Sequence, residues 1–218
     1  MIEAQAPLAF GPEVEPLAEE LLVAFRDAPT SFIADALGGS AALDFRIKPL
    51  VGAAVFGVAL TCDCGPSDNL ALIAGVARGR PGDVIVAATG GYMGAAATGD
   101  LLLGVAKNRG VAGFVTDGLV RDLADLEALG LPVFATGLTP NSPGRRGPGT
   151  VGLPIVCGGR TVASGDLVIG DRDGVVTVPR ARIAETTARL AEVRAAEAAL
   201  AARVRAGLTD LGPAVGAG

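Results

Sequence analysis

The stretch DVIVAATGGYMGAAATGDLLLGVAKNRGVAGFVTDGLVRDLADLEALGLPVFA, residues 83–135, decides the fold class. Asp83 to Ala88 is a short apolar run, followed by a glycine-rich segment from Thr89 to Gly99. Asp100 to Arg109 has helical patterning, Val111 to Asp117 reads as a second strand, and Gly118 to Asp122 as a loop. Leu123 to Leu129 is helical and Pro132 to Ala135 a third strand. Short apolar strands alternating with helices make a β-α-β-α-β unit, whose strands run parallel because each crossover returns the chain to the same edge.

Outward from this unit, residues 51–62 are small and β-branched and read as a strand, and Ser67-Asp68-Asn69 caps a helix reaching about Ala77. Val14, Leu17, Leu21, Leu22 and Phe25 recur at helical spacing, which predicts a helix over 14–27; Thr30 or Ser31 caps a shorter one through Leu37, stopped by Gly38-Gly39. Residues 136–152 read as a loop. Short strands follow around 154–157, 161–163, 167–169 and 174–178, with turns at Gly158-Gly159 and Asp173-Gly174. A long Ala/Arg/Glu helix covers 180–206, and the tail from Gly207 reads as frayed. With no repeat and no linker, 1–218 reads as a single domain: a helical segment at about 12–40, an α/β core at about 50–178 and the C-terminal helix.

Composition narrows the chemistry. The chain has no histidine, so histidine triads and histidine metal sites are excluded. Lys48 and Lys107 are its only lysines and hence its only Schiff-base candidates. Acid–base work falls to carboxylates, Tyr92, a cysteine or metal-bound water. Cys62, Cys64 and Cys157 form no zinc pattern, and their odd number suits reduced, buried thiols in a cytoplasmic protein. The formal net charge of -5 argues against nucleic-acid binding. The longest uncharged apolar run, Pro49 to Cys62, contains glycines and reads as strand, so no membrane span is expected; nor does the N-terminus resemble a signal peptide.

Three sites stand out. Thr89-Gly-Gly-Tyr-Met-Gly94 partly matches a dinucleotide fingerprint, with Asp117 ending the next strand, but Thr89 replaces its first glycine. A turn without ligand is the plainer reading. The amides of Gly99, Asp100, Leu101 and Leu102, opening a helix, suit a small carboxylate. The two successive strand-to-helix junctions should bring Asp100 and Asp122 together with Arg121 between them. Such a set suits Mg²⁺ or Mn²⁺ and a substrate oxygen, unless both acids merely cap helices. On the last helix, Glu197 interrupts an apolar stripe of Leu190, Val193, Leu200 and Val204, either as the edge of the stripe or as an acid delivered into a pocket.

Several motifs in order carry a resemblance. They are Asp68-Asn-Leu, Arg80-Pro-Gly-Asp-Val, Gly-Asp-Leu-Leu102, Ala106 to Gly113, Asp117-Gly-Leu-Val-Arg-Asp122, Leu131-Pro-Val-Phe-Ala and Gly165-Asp-Leu-Val…Asp171-Arg-Asp-Gly-Val. Together they resemble the 4-hydroxy-4-methyl-2-oxoglutarate aldolase and regulator of ribonuclease activity A family over about residues 30–200. The resemblance implies a swivelling β/β/α sandwich, ring-shaped trimers or hexamers, and active sites between subunits. It also implies a divalent-metal lyase that cleaves 4-hydroxy-2-oxo acids to pyruvate and a second oxo acid, and decarboxylates oxaloacetate. Carried over to this sequence, Asp122 holds the metal and Arg121 meets the pyruvyl oxygen. Asp100 lies near the metal waters, Gly99 to Leu102 cradle the carboxylate, and Glu197 comes from the neighbouring subunit. Asp35 lies where some aldolases carry an acid. Ile73 stands where many relatives have histidine, and Arg145-Arg146 where lysine is expected. The family also includes non-catalytic regulators that bind a ribonuclease or helicase.

Overall fold

The computed structural model describes residues 7–211. In chain order its elements are β1 (Leu8–Phe10), α1 (Glu19–Arg26), α2 (Thr30–Ala36), β2 (Lys48–Val51), β3 (Val55–Asp63), α3 (Leu70–Arg78), β4 (Asp83–Ala88), β5 (Ala96–Thr98), α4 (Asp100–Asn108), β6 (Gly113–Thr116) and β7 (Leu119–Val120). Then come α5 (Leu123–Leu129), β8 (Val133–Ala135), β9 (Gly137–Leu138), β10 (Gly149–Val151), β11 (Ile155–Cys157), β12 (Arg160–Val162), β13 (Leu167–Asp171), β14 (Gly174–Val178) and, after a 3₁₀ turn at Arg180–Arg182, α6 (Ile183–Arg205).

The main sheet has the order β1-β10-β3-β4-β6-β8-β2, with the hairpin β13–β14 joined to the first half of β3. Strands β3, β4, β6 and β8 are parallel, as the alternation predicts. Every residue of β4 and β6 is buried, because this sheet is covered on both faces. Ile85, Ala87 and Phe114 face a core built with α3, α4 and α5, whereas Val84, Val86 and Val115 face one built with β11, β12 and the 43–47 segment. This gives layers of helix, sheet and hairpin. A third core packs α1, α2 and the first turns of α6 on β13 and β14.

The structure corrects three expectations. The first helix starts at Glu19 rather than residue 14. Arg80 donates to the Val14 carbonyl and Arg180 to those of Glu15 and Pro16, so this backbone is tethered in a non-helical path. The apolar run Pro49 to Cys62, expected to hold one strand over 51–62, falls in two strands, β2 and β3, broken at Gly52, whose φ of 71° makes the turn. The supposed loops at 89–99, 118–122 and 136–152 contain β5, β7 and β9, which form a second, parallel sheet. Each follows the end of β4, β6 or β8, so the chain steps from the main sheet onto this smaller one before α4 and α5 begin. The end of the tail, from 212 onward, lies outside the described residues.

Candidate active site

The small sheet fixes the site. Ala96 pairs with Leu119 and Thr98 with Val120, and the Arg121 N–H donates to the Thr98 carbonyl at 3.1 Å. The ends of β5 and β7 are thereby locked side by side, with Gly99-Asp100 and Arg121-Asp122 emerging together. They line an open cleft of about 350 Å³ with Leu101, Leu102 and Asn69.

α4 begins at Asp100 with Gly99 as its N-cap, and the first i−4 bond runs from the Leu103 N–H to the Gly99 carbonyl. The N–H groups of Asp100, Leu101 and Leu102 therefore have no partner within the helix, and the dipole places positive potential at the cleft. Gly99 is extended (φ −147°), so its backbone would suit any residue. Space is what requires glycine: a Cβ here would lie 2.2 Å from Asp122 Oδ2 and 3.0 Å from Arg121 Cγ.

Asp122 is the N-cap of α5, yet its side chain makes no capping bond. Its backbone is left-handed (φ 62°, ψ 45°), a conformation that is costly for a residue with a Cβ. The carboxylate instead meets Arg121, Nε to Oδ2 at 3.1 Å, and Arg121 Nη1 donates to Ser142 Oγ at 2.5 Å. Both side chains are about one-third exposed, at 35% and 34%. A simple helix cap does not account for Asp122.

Other candidates separate. Asp117 is buried and accepts from the N–H and hydroxyl of Thr89 at 2.7 and 3.0 Å. α4 starts six residues beyond Gly94, so the dinucleotide fingerprint lacks both its helix and a free acid. Burial pushes the thiols of Cys62 and Cys157 well up and that of Cys64 to about 12, leaving none as a thiolate. Lys48 donates to the Asp173 carbonyl and Lys107 to that of Leu129, and neither lines the cleft. Asp35 is exposed on α2 and Glu197 on the distal half of α6; neither lines the cleft of its own chain. α6 has no buried residue beyond Leu190. Val193 still packs partly buried on the third core and Arg194 donates to the Ala24 carbonyl at 3.0 Å, and beyond them the helix adds no residue to the chain's own cores.

Sequence reading missed Asn69, Ser142 and Arg145 as cleft residues, although it noted the last as a departure. Asn69 is the N-cap of α3 but its side chain makes no capping bond; the Leu70 N–H is taken at 2.9 Å by Asp68, the residue before it. Two cap-type residues in succession were the available signal. Asn69 is 5% exposed and donates to the Ala97 carbonyl at 3.1 Å, and its Oδ1 has no hydrogen-bond partner.

Cofactor fit follows from the donors. Asp100 and Asp122 offer carboxylate oxygens, and no group of three or more acids or thiols arranged to hold a metal occurs among the described residues. Such a set does not suit zinc. It fits Mg²⁺ or Mn²⁺, which bind through one or two carboxylates and keep several waters.

Comparison with known proteins agrees with this architecture. The sequence profile of the RraA-like family, described as Aldolase/RraA, matches residues 30–177. A Halalkalibacterium halodurans protein named "Putative 4-hydroxy-4-methyl-2-oxoglutarate aldolase" is 41% identical over 162 residues, 74% of this chain and 77% of that protein. Among solved structures, a Streptomyces coelicolor member of the RNase ES inhibitor RraA family superposes with TM-score 0.74 at 28% identity, covering 85% of this chain and 98% of that one. The RNA-processing inhibitor RraA from Thermus thermophilis gives TM-score 0.64 at 28% identity, covering 70% and 93%.

Proposed function

This chain belongs to the RraA-like family, and from that footing we propose that it is a divalent-metal-dependent lyase of 2-oxo acids. It cleaves 4-hydroxy-2-oxo acids of the 4-hydroxy-4-methyl-2-oxoglutarate type to pyruvate and a second oxo acid, and decarboxylates oxaloacetate. The observation that carries this reading is Asp122, held in a costly backbone conformation, uncapped, against Arg121 and beside the open first turn of α4.

Asp122, with Asp100 nearby, would hold the Mg²⁺ or Mn²⁺, which when bound supplies positive charge at the substrate's 2-oxo group. The N–H groups of Asp100, Leu101 and Leu102 bind the carboxylate at C1. Arg121, oriented by Asp122 and Ser142, meets the C2 oxygen, where negative charge grows as the enolate forms. In aldol cleavage the C4 hydroxyl gives its proton to a carboxylate and the O–H electron pair becomes the new C=O bond. The C3–C4 pair moves into C2–C3, its charge resting on the C2 oxygen, and C3 then takes up a proton to give pyruvate. Asp100, which lines the cleft, or Glu197 of a neighbouring subunit would assist that transfer. In oxaloacetate the same C3–C4 bond breaks with loss of CO₂.

Leu101 is 80% exposed at the cleft rim, and the distal half of α6 is unburied. Both features support assembly into a homotrimer or hexamer in which a neighbouring α6 covers the cleft and brings Glu197 to it. A second reading, supported by the likeness to RraA inhibitors, is a non-catalytic regulator of a ribonuclease or helicase.

One assay separates the two. Purified protein is tested against oxaloacetate and 4-hydroxy-4-methyl-2-oxoglutarate with Mg²⁺, with Mn²⁺ and with EDTA. Turnover with metal that EDTA abolishes is expected. Absence of turnover on both substrates with either ion would remove the lyase and favour the regulator; full activity in EDTA would remove the metal.

A further inference from the structure

A second cavity, of about 330 Å³, lies at the opposite end of the parallel strands, where β4 begins at Asp83. Three arginines from two stretches of the chain line it: Arg78 at the end of α3 and Arg80 in the turn that follows, and Arg109 at the C-cap of α4. In a chain with 18 basic residues and a net charge of -5, three guanidinium groups around one cavity are a local reversal of sign.

Each is held by a contact that leaves most of its donors unused. Arg78 stacks on the Phe10 ring, 4.8 Å from its centroid, which fixes the plane of the fork and occupies none of its N–H groups. Arg109 uses Nε on the Gly79 carbonyl at 3.1 Å, and its two terminal nitrogens make no hydrogen bond among the described residues. Arg80 uses Nη1 on the Val14 carbonyl at 3.0 Å and lies 3.6 Å from Asp83 through Nε. Placement at helix C-termini accounts for cations at 78 and 109, but the dipole needs no shared cavity.

The acids in the wall do not cancel this charge. Asp83 accepts the Arg80 backbone N–H at 2.8 Å and is committed to its own turn. Glu13 is exposed at the rim. Three guanidinium groups against two carboxylates leave one positive charge.

We propose that this cavity is a binding site for a phosphate group, borne by a small phosphorylated molecule or free as inorganic phosphate. Three forks converging from two stretches of the chain suit the several oxygens of a tetrahedral phosphate better than the two coplanar oxygens of a carboxylate. Ala59, Leu60 and Ala77 give the same cavity an apolar wall for an organic remainder. The site is distinct from the cleft, with which it shares no lining residue.

Calorimetric titration of the full-length protein with inorganic phosphate, glycerol 3-phosphate and propanoate tests the assignment. Both phosphate probes, or glycerol 3-phosphate alone, should bind, with affinity falling as NaCl rises, and propanoate at least tenfold more weakly. Tighter binding of glycerol 3-phosphate than of phosphate identifies the phosphorylated molecule as the occupant; the reverse order identifies the free ion. Arg78→Gln and Arg109→Gln should each weaken binding at least tenfold with unchanged circular dichroism, while Arg121→Lys and Arg145→Gln, in the cleft, should leave it intact. No binding of either phosphate at millimolar concentration, equal binding of propanoate, or loss of binding only in the cleft variants would overturn the proposal.

Discussion

Gly99→Ala tests the site geometry with one methyl group. The backbone at Gly99 is extended, so alanine fits it without strain, and the smaller entropy of the unfolded chain favours the variant by about 0.4–1 kcal/mol. The added Cβ would meet Asp122 Oδ2 at 2.2 Å, with Arg121 Cγ at 3.0 Å and Nε at 3.2 Å. Restoring an ordinary contact of about 3.4 Å requires the carboxylate oxygen to retreat by about 1.2 Å. Asp122 is a one-third exposed side chain with room to turn, so the strain is released by rotation rather than by unfolding. The 3.1 Å bond to Arg121 is lost in that movement. Stability should therefore stay within about 1 kcal/mol of wild type, while a displacement near 1 Å at reacting groups costs on the order of 100-fold in rate. The assays are thermal unfolding, Mn²⁺ titration and turnover of oxaloacetate. Turnover within twofold of wild type, with unchanged Mn²⁺ affinity, would refute the claim that Gly99 leaves room for the Asp122 carboxylate.

Three further outcomes are expected. Mixing inactive Glu197→Ala with inactive Asp122→Ala subunits should restore part of the activity on oxaloacetate after verified subunit exchange; no recovery would place Glu197 outside the neighbouring site. Gly75→Ala puts a Cβ 2.2 Å from Cys62 Sγ between α3 and β3, and should lower unfolding free energy by about 1–3 kcal/mol, with Cys62→Ala in the same chain relieving most of the loss in a denaturant titration. Burial pushes the Asp171 carboxyl up, but the N–H and hydroxyl of Thr30 and the N–H of Asp173 outweigh it and hold it below the ordinary carboxylate range. Its stabilisation is therefore complete above the unfolded value of about 3.9 and lost as pH falls through the lower folded value, so the stability gap between wild type and Asp171→Ala should be constant near pH 7 and narrow below about pH 4.

The parallel unit was legible because strands buried on both faces are written as unbroken apolar runs, as in Asp83 to Ala88 and Gly113 to Thr116. The second sheet was not legible: β5, β7 and β9 are two or three residues long and lie among glycines, too short for a period to be read. Arg121, Asp122 and Asp100 could be placed together from the two strand-to-helix junctions alone. What brings them together, the Arg121-to-Thr98 bond, is a backbone contact that no side chain announces. The helical spacing of Val14 and Leu17 misled because the Arg80 and Arg180 side chains that tether 14–16 come from distant positions in sequence. Glu197 is exposed and does not line the cleft of its own chain, so the role proposed for it requires a neighbouring subunit, which the folding of one chain does not reveal.

The left-handed backbone at Asp122 sets two selection pressures against each other. Glycine adopts that conformation freely and asparagine more readily than most residues, so a library sorted only for yield or heat resistance should drift there toward Gly or Asn. A library sorted for turnover should hold aspartate. Deep mutational scans run under the two regimes would thus diverge at this position, and a residue that a redesign guided by stability alone would change is one such a redesign should leave untouched.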